Sequence, residues 1–142
     1  MASHLKRMVY VFVVLVWLSL SIVAIPNSVA QGSEWTTPNA NVVPWTNAVN
    51  YVGKNAIVEG AIVYTYVYKG NSFLDFHDPY QGYFYGVVFA SDSNNFKCSI
   101  AQFYLNKEVR ITGTIQLYNG VPEIIVHTPS QIEVAYQGFT CS

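Results

Sequence analysis

Charged residues are scarce in this sequence. Asp, Glu, Lys and Arg make up 11% of the 142 residues, whereas hydrophobic residues make up 51%. Disordered chains show the opposite balance, with low hydrophobicity and high charge, so the composition excludes general disorder. The length is that of one domain of ordinary size.

Signatures of catalysis and metal binding are also missing. There is no nucleophile motif with Ser, His and Asp partners, no glycine-rich phosphate loop and no Cys or His spacing typical of zinc. Asp75, His77 and Asp78 are the one candidate metal or acid–base cluster. Three polar residues beside a loop are more often a solvated surface, so we predict a protein that is not an enzyme and has no metal or cofactor.

Cysteine is limited to Cys98 and Cys141. In an oxidising compartment a lone pair is most simply one disulfide, which would tie the C-terminus to the middle of the chain. Two free buried thiols are the alternative.

One long hydrophobic run stands at the N-terminus, from Met8 to Ile25, after the basic residues Lys6 and Arg7. It is longer than the ~7–15 residues of a usual signal-peptide core and close to the ~20 that span a bilayer. Small residues at Ser28 and Ala30 suit signal peptidase. We therefore expect residues 1–30 to be a signal peptide or a membrane anchor, with the rest secreted or otherwise extracytoplasmic.

The part that follows this segment is acidic. It has five basic residues against eight acidic ones, a net charge of −3. A whole-domain field that attracts nucleic acid or anionic lipid is therefore not expected. We expect residues 31–42 to be a polar linker whose Trp35 can dock on the domain, and residues 43–142 to be the folded domain.

Aromatic residues are abundant and favour β-structure. From Asn55 the apolar period is two, with strands predicted at 55–68, 72–77, 83–90, 108–117 and 121–126, the last extended by 131–135. Short helices are predicted at 43–52 and around 96–103. Asn119-Gly120 is a typical tight-hairpin turn.

This order resembles the OB-fold, a five-stranded, partly open barrel. The similarity is to small prokaryotic OB-fold proteins of the nucleic-acid-binding type, and it covers residues 45–134. The residues that carry it are Tyr51-Val52-Gly53-Lys54, Val58-Glu59-Gly60, Ile62-Val63, Lys107, Val109, Ile111-Thr112-Gly113, Ile115, Tyr118-Asn119-Gly120, Pro122-Glu123-Ile124 and Pro129-Ser130-Gln131-Ile132. We therefore expect a mainly β fold, a five-stranded OB-like barrel with one or two short helices, preceded by a hydrophobic targeting helix.

The resemblance implies a ligand across the second and third strands, between the turns at 69–71 and 118–120. Ten aromatic residues fall between Tyr64 and Phe89, and exposed rings there could stack on bases or sugars. If instead they alternate into the core, they only stabilise the sheet. The predicted ligand-binding residues are Tyr66, Lys69, Phe73, Phe76, Tyr83, Tyr85 and Tyr118.

Two functional hypotheses follow. The first is a non-catalytic, extracytoplasmic binding module for single-stranded nucleic acid or oligosaccharide. The second is a structural or assembly subunit at the cell surface that contacts itself or another protein through aromatic strand surfaces. In both, the membrane is contacted only through the N-terminal segment.

Overall fold

The computed structural model describes residue 35, residues 41–135 and residues 141–142. The expected targeting segment and most of the expected linker lie outside these residues.

The described residues form nine strands: β1 Val42–Pro44, β2 Asn55–Ala61, β3 Tyr64–Tyr68, β4 Asn71–Asp75, β5 Tyr85–Val88, β6 Glu108–Thr114, β7 Gln116–Tyr118, β8 Val121–Ile125 and β9 Ile132–Val134. The helices are α1 Ile100–Tyr104 and 3₁₀ turns at Trp45–Tyr51, Ser93–Asn95 and Pro129–Gln131.

The mainly β prediction is confirmed, but the strands form two sheets rather than one closed barrel. Sheet 1 has the order β1-β2-β6-β9, and sheet 2 has the order β3-β4-β5-β8-β7. Each predicted long strand is divided where it leaves one sheet for the other. Ile62 donates its backbone N–H to Lys107 beside β6, whereas the next residue, Val63, donates to Asp75 on β4. A strand that changes partners in this way makes a corner between two sheets.

The first and fourth predicted strands pair with each other through β2 and β6. β2 and β6 are antiparallel over their whole length, with Glu59 opposite Arg110. The Arg110 guanidinium donates to Glu59 over 2.7 Å from a position that is almost fully buried. The Trp35 ring lies 4.2 Å from the same guanidinium, so the predicted docking of Trp35 on the domain is confirmed.

The glycine within β6 permits close packing between the sheets. A Cβ atom at Gly113 would lie 2.6 Å from Cγ2 of Ile124 on β8, which is a severe overlap. Gly60 on β2 is similarly covered by the side chains of Trp45 and Phe76. The two sheets can approach at these positions because glycine has no side chain, and not because the backbone conformation is unusual.

The helix predicted at 43–52 is present as a 3₁₀ helix, and this determines which of its residues are buried. Trp45–Tyr51 is a 3₁₀ helix that follows the short strand β1. Ala48 is completely buried, but Val49 is 52% exposed. Because a 3₁₀ helix has three residues per turn, the position four residues after Trp45 rotates away from the face that an α-helix would bury.

Cys98 and Cys141 lie at disulfide distance, with their Cα atoms 5.3 Å apart. The predicted pairing is thus supported. The backbone N–H of Lys97 also donates to the Cys141 carbonyl, so the C-terminal residues are held beside the loop that precedes α1. Within residues 41–135, no helix is long and apolar enough to span a membrane.

Candidate ligand-binding cleft

An open cleft of about 530 Å³ lies on the outer face of sheet 2. Its floor is formed by β4, β5 and β8, and its rims are the turns after β3 and β7. The lining residues are Tyr66, Tyr68, Lys69, Asn71, Phe73, Asp75, Tyr80, Gln81, Gly82, Tyr85, Val87, Phe89, Tyr118, Asn119, Val121 and Glu123.

Strand alternation sorts the side chains between this cleft and the core. On β4, Phe73 and Asp75 face the cleft, whereas Leu74 between them is completely buried in the core. On β5, Tyr85 faces the cleft directly opposite Asp75. The period of two therefore places one aromatic and acidic set on the outer face and one aliphatic set on the inner face.

The cleft rings form a stacked series. Tyr66 on β3 and Phe73 on β4 are directly opposite in the sheet register, and their rings are 4.5 Å apart at 4°. Tyr80 lies 5.1 Å from Tyr66 and stacks on Tyr64 at 5.7 Å and 6°. Offset-stacked pairs of this kind stabilise each other beyond simple burial, so the series is a preorganised aromatic wall.

The two rims are tight turns. Lys69-Gly70 and Asn119-Gly120 each have two successive positive φ angles, 50° then 81° in both cases. This is the geometry of a type I′ hairpin, and it confirms the predicted turns. Tyr118 is 61% exposed on one rim, and the ammonium of Lys69 lies 5.2 Å from the ring of the exposed Tyr68 on the other.

A buried carboxylate network supports one side of the cleft. Glu123 on β8 is 4% exposed. It accepts a short hydrogen bond from the Tyr85 hydroxyl and a 2.8 Å hydrogen bond from the Gln116 amide. The pKa of Tyr85 is raised well above its usual value. Burial is the larger cause, and the hydrogen bond to Glu123 is the second. Both residues are therefore fixed in place.

One oxygen of Asp75 has no such support. The side chain is on the cleft floor at 2% exposure, and its Oδ2 atom has no hydrogen-bond partner within the described part of the chain. Burial raises the pKa of Asp75 from 3.8 to about 7. The pKa of Tyr66 is likewise raised to about 12. Burial is the larger cause, and the electrostatic effect of the nearby Asp75 is the second. At neutral pH the cleft thus holds a carboxyl group that is partly protonated.

The structure brings five of the seven predicted ligand-binding residues together in the cleft: Tyr66, Lys69, Phe73, Tyr85 and Tyr118. Phe76 is not available there. It follows the end of β4, is 2% exposed and packs on Phe84 in the core, because its position has the parity of the inward-facing residues.

Tyr83 lies outside the cleft. Its ring stacks on His77 at 3.8 Å and lines a separate hollow beside the helix Trp45–Tyr51. His77, which the sequence analysis grouped with Asp75 and Asp78 as a candidate cluster, lies beyond the end of β4 and stacks on Tyr83. Among the described residues, no three His, Cys, Asp or Glu side chains come together as a possible metal site.

Three important cleft residues were not among the predicted ligand-binding set. Tyr80 enters from the 78–82 loop, where periodicity gives no direction. Asp75 and Glu123 are acidic residues within strands, and sequence reasoning treats such residues as solvated. The available signal was their parity, because Asp75 is two residues from Phe73 and must share its face.

No protein-family model and no curated protein matches this chain. Among solved structures, partial similarity is found to a putative aspartyl-tRNA synthetase from Leishmania major Friedlin, with a TM-score of 0.48 and 13% identity over 71% of this chain and 22% of that chain. Asparaginyl-tRNA synthetase from Pyrococcus horikoshii gives a TM-score of 0.46 and 19% identity over 68% of this chain and 24% of that chain. The chain thus spans at most about a quarter of the length of these proteins.

Proposed function

We propose that this protein is a non-catalytic binding module whose cleft binds a short stretch of single-stranded nucleic acid, with the bases stacked on its aromatic residues. The observation that carries the proposal is the position of the aromatic cleft. It lies over the second and third strands of the predicted order, between the 69–71 and 118–120 turns. OB-folds bind oligonucleotides and oligosaccharides at this place.

The strand arrangement supports an OB-like interpretation of the fold. β2 pairs with β6 within sheet 1, and the pairs β3–β4, β4–β5, β5–β8 and β7–β8 lie within sheet 2. β2 continues into β3 and β6 continues into β7, so the chain connects the sheets at both corners. In this proposal the molecule is a partly open barrel whose corners are bends.

Stacking provides the main favourable term. Tyr68 and Tyr118 are the most exposed rings of the cleft, at 57% and 61%. Base–aromatic stacking contributes about 1–3 kcal/mol per base and tolerates many sequences. Two exposed rims with a stacked wall between them suit two or three successive bases.

Charge indicates that bases rather than phosphates are contacted. Of the described residues that line the cleft, Lys69 is the only basic one, whereas Asp75 and Glu123 are both on its floor. Each phosphate neutralised on a single strand contributes about −0.7 to the slope of log affinity against log salt. With one cation at the site, we expect a slope of no more than about −1.

The same cleft could hold a neutral oligosaccharide, because sugar faces stack on rings and hydroxyls hydrogen-bond to carboxyl groups. Competition between oligonucleotides and oligosaccharides for the cleft distinguishes these ligands.

We also propose an extracytoplasmic location, with the N-terminal segment as the targeting signal or membrane anchor. The Cys98–Cys141 pair supports it, since disulfides persist in oxidising compartments.

Assembly is the second candidate function, and it is favoured by the edges of sheet 2. Val67 on the edge strand β3 is 60% exposed, and Leu117 on the opposite edge strand β7 is 51% exposed. Exposed apolar strand edges can pair with another chain. Light scattering after size exclusion would distinguish a self-associating subunit from a stable monomer.

The test is titration of labelled single-stranded oligonucleotides with the full-length protein, followed by fluorescence anisotropy at several salt concentrations. We expect saturable micromolar binding with a shallow salt slope. Unlabelled neutral oligosaccharides serve as competitors. Lack of binding to every oligonucleotide would contradict the nucleic-acid assignment, and a salt slope several times steeper would show that binding occurs elsewhere through phosphates.

A further inference from the structure

Asp75 is an unusual component of the cleft floor. It is 2% exposed, and its Oδ2 atom has no partner among the described residues. A buried polar atom without a hydrogen bond is energetically costly. Such an atom in a folded protein calls for an explanation, and a position on the floor of an open cleft suggests that a ligand provides the partner.

Among the residues that the structure describes, the surroundings of Asp75 contain hydroxyl groups and another acid but no adjacent cation. Tyr64 on β3 and Tyr85 on β5 are its cross-strand neighbours. The titratable groups that face it from the surrounding elements are Tyr64 and Tyr66 of β3, Tyr80 of the 78–82 loop, Tyr85 of β5 and Glu123 of β8, with Lys69 on the rim. An ionised Asp75 would therefore be buried without a counter-charge, which favours the protonated carboxyl.

Glu123 shows by contrast what a structural acid looks like in this cleft. It is buried to a similar degree but accepts hydrogen bonds from both Tyr85 and Gln116. Asp75 lies opposite the same tyrosine in the sheet register, yet the Tyr85 hydroxyl is directed to Glu123. Glu123 thus stabilises the cleft through its hydrogen bonds, whereas Asp75 keeps an oxygen without a partner among the described residues.

We propose that Asp75 is a specificity-determining residue, whose neutral carboxyl donates one hydrogen bond to a base and accepts another from it. The complementary edge has an acceptor beside a donor, such as the ring nitrogen and amino group of adenine or cytosine. This inference rests on the proposed nucleic-acid function. No proton is transferred, because the carboxyl simply shares its O–H with the ring nitrogen.

The protonation state decides which edges fit. A neutral carboxyl has one donor and one acceptor, whereas an ionised carboxylate only accepts. Against adenine, the ionised form would place a charged oxygen opposite the lone pair of the ring nitrogen. Affinity for adenine should therefore fall as pH rises. Guanine presents two adjacent donors on part of its edge and should not show this loss.

The test is the affinity of a labelled oligodeoxyadenylate for the full-length protein at about pH 6 and about pH 8.5. The neutral fraction of a carboxyl with a pKa of about 7 falls roughly 30-fold between these values, so affinity should fall up to about 30-fold. Asp75→Asn carries a donor and an acceptor at every pH and should bind with little pH dependence. Asp75→Leu, of similar size, should bind weakly at both.

The outcomes separate this inference from the proposed function. If the wild type binds oligonucleotides but neither pH nor Asp75→Leu changes the affinity, the role of Asp75 is overturned and the binding function stands. If the wild type binds no oligonucleotide at either pH, both are overturned. Unfolding curves for the three proteins show that any loss of binding is measured on folded protein.

Discussion

Tyr66 and Phe73 are opposite each other on β3 and β4, and their rings are stacked 4.5 Å apart at 4°. The pair links the edge strand of sheet 2 to its interior. It also covers one face of each ring, so these two residues shape the wall of the cleft while the exposed rings at its rims remain open to a ligand. The aromatic residues thus divide into a supporting pair and contacting rims.

Tyr118→Ala should weaken oligonucleotide binding by about 1–3 kcal/mol, because it removes an exposed stacking surface. The free energy of unfolding should change by less than about 0.5 kcal/mol, since the side chain is at the surface. Anisotropy titration and denaturant unfolding measure the two quantities. Tyr83→Ala is the matched control, because Tyr83 is an exposed tyrosine outside the cleft, at 41%; an equal loss of binding in this variant would contradict the assignment of the cleft.

Phe73→Ala should affect both binding and stability. It removes the ring that supports Tyr66, and loss of a large, partly buried aromatic side chain costs up to about 3–5 kcal/mol. Phe73→Leu should recover much of the stability but not the stacked geometry. Equal binding by wild type and Phe73→Leu would show that the orientation of Tyr66 is unimportant.

Asp75→Asn should change the pH dependence of stability. Burial raises the pKa of Asp75 from 3.8 in the unfolded chain to about 7 in the folded protein. The folded state therefore binds the proton more tightly, and the contribution of Asp75 to stability is complete below about pH 4 and is lost as pH rises towards 7. Above pH 7 the ionised group costs on the order of 4 kcal/mol.

Denaturant unfolding of wild type and Asp75→Asn at several pH values checks this prediction. The difference in stability should move in favour of the variant between about pH 4 and pH 7 and then stay constant. Because all other titrating groups are shared, the difference isolates Asp75. A difference that does not change with pH would mean that Asp75 ionises normally in the folded protein.

Removal of the disulfide should lower stability without altering the cleft. Cys98 and Cys141 are 43 residues apart, and the chain-entropy model assigns a loop of this length about 4 kcal/mol at most. The double substitution Cys98→Ser, Cys141→Ser should unfold at lower denaturant but keep its oligonucleotide affinity when folded. Wild type in reducing agent should behave like this variant, and a wild type insensitive to reduction would argue against the bond.

Gly113→Ala should be destabilising by about 1–3 kcal/mol, because the added methyl group would lie 2.6 Å from Cγ2 of Ile124, and overpacking forces neighbouring side chains to move. Gly53→Ala tests a different effect. Gly53 has open space around it but a φ of 82°, so an alanine there is strained in its backbone and does not overlap a neighbour. Adding Ile124→Val to Gly113→Ala should recover part of the loss, as measured by thermal unfolding. Without recovery, the Ile124 contact would not be the cause.

Much of the fold follows directly from sequence patterns. Period-two apolar residues locate the strands, and Asn119-Gly120 fixes one hairpin because only a few residues tolerate its positive φ angles. The division into two sheets cannot be predicted in this way, because the hydrogen-bond exchange at Ile62–Val63 depends on which strands lie alongside, and no local pattern encodes it. Local spacing does not distinguish an α-helix from a 3₁₀ helix at 45–51, so the exposure of Val49 is defined only by the structure.

The cleft was predictable in part. Five of the seven predicted ligand-binding residues share one surface, on the strands and turns that the resemblance to an OB-fold indicates. Phe76 is not part of this surface, because it has the same inward-facing parity as Leu74 two residues earlier and packs in the core. The difference between Asp75 and Glu123 depends on where the Tyr85 hydroxyl points, which only the folded structure defines.

Amide chemical-shift mapping of the isotope-labelled protein during titration with a single-stranded oligonucleotide would locate the bound surface directly. If the aromatic cleft binds the ligand, saturable shifts should be concentrated in β4, β5 and the turns at 69–71 and 118–120. Shifts confined to sheet 1 or to the hollow beside Tyr83, or no shifts at ligand concentrations well above micromolar, would contradict it.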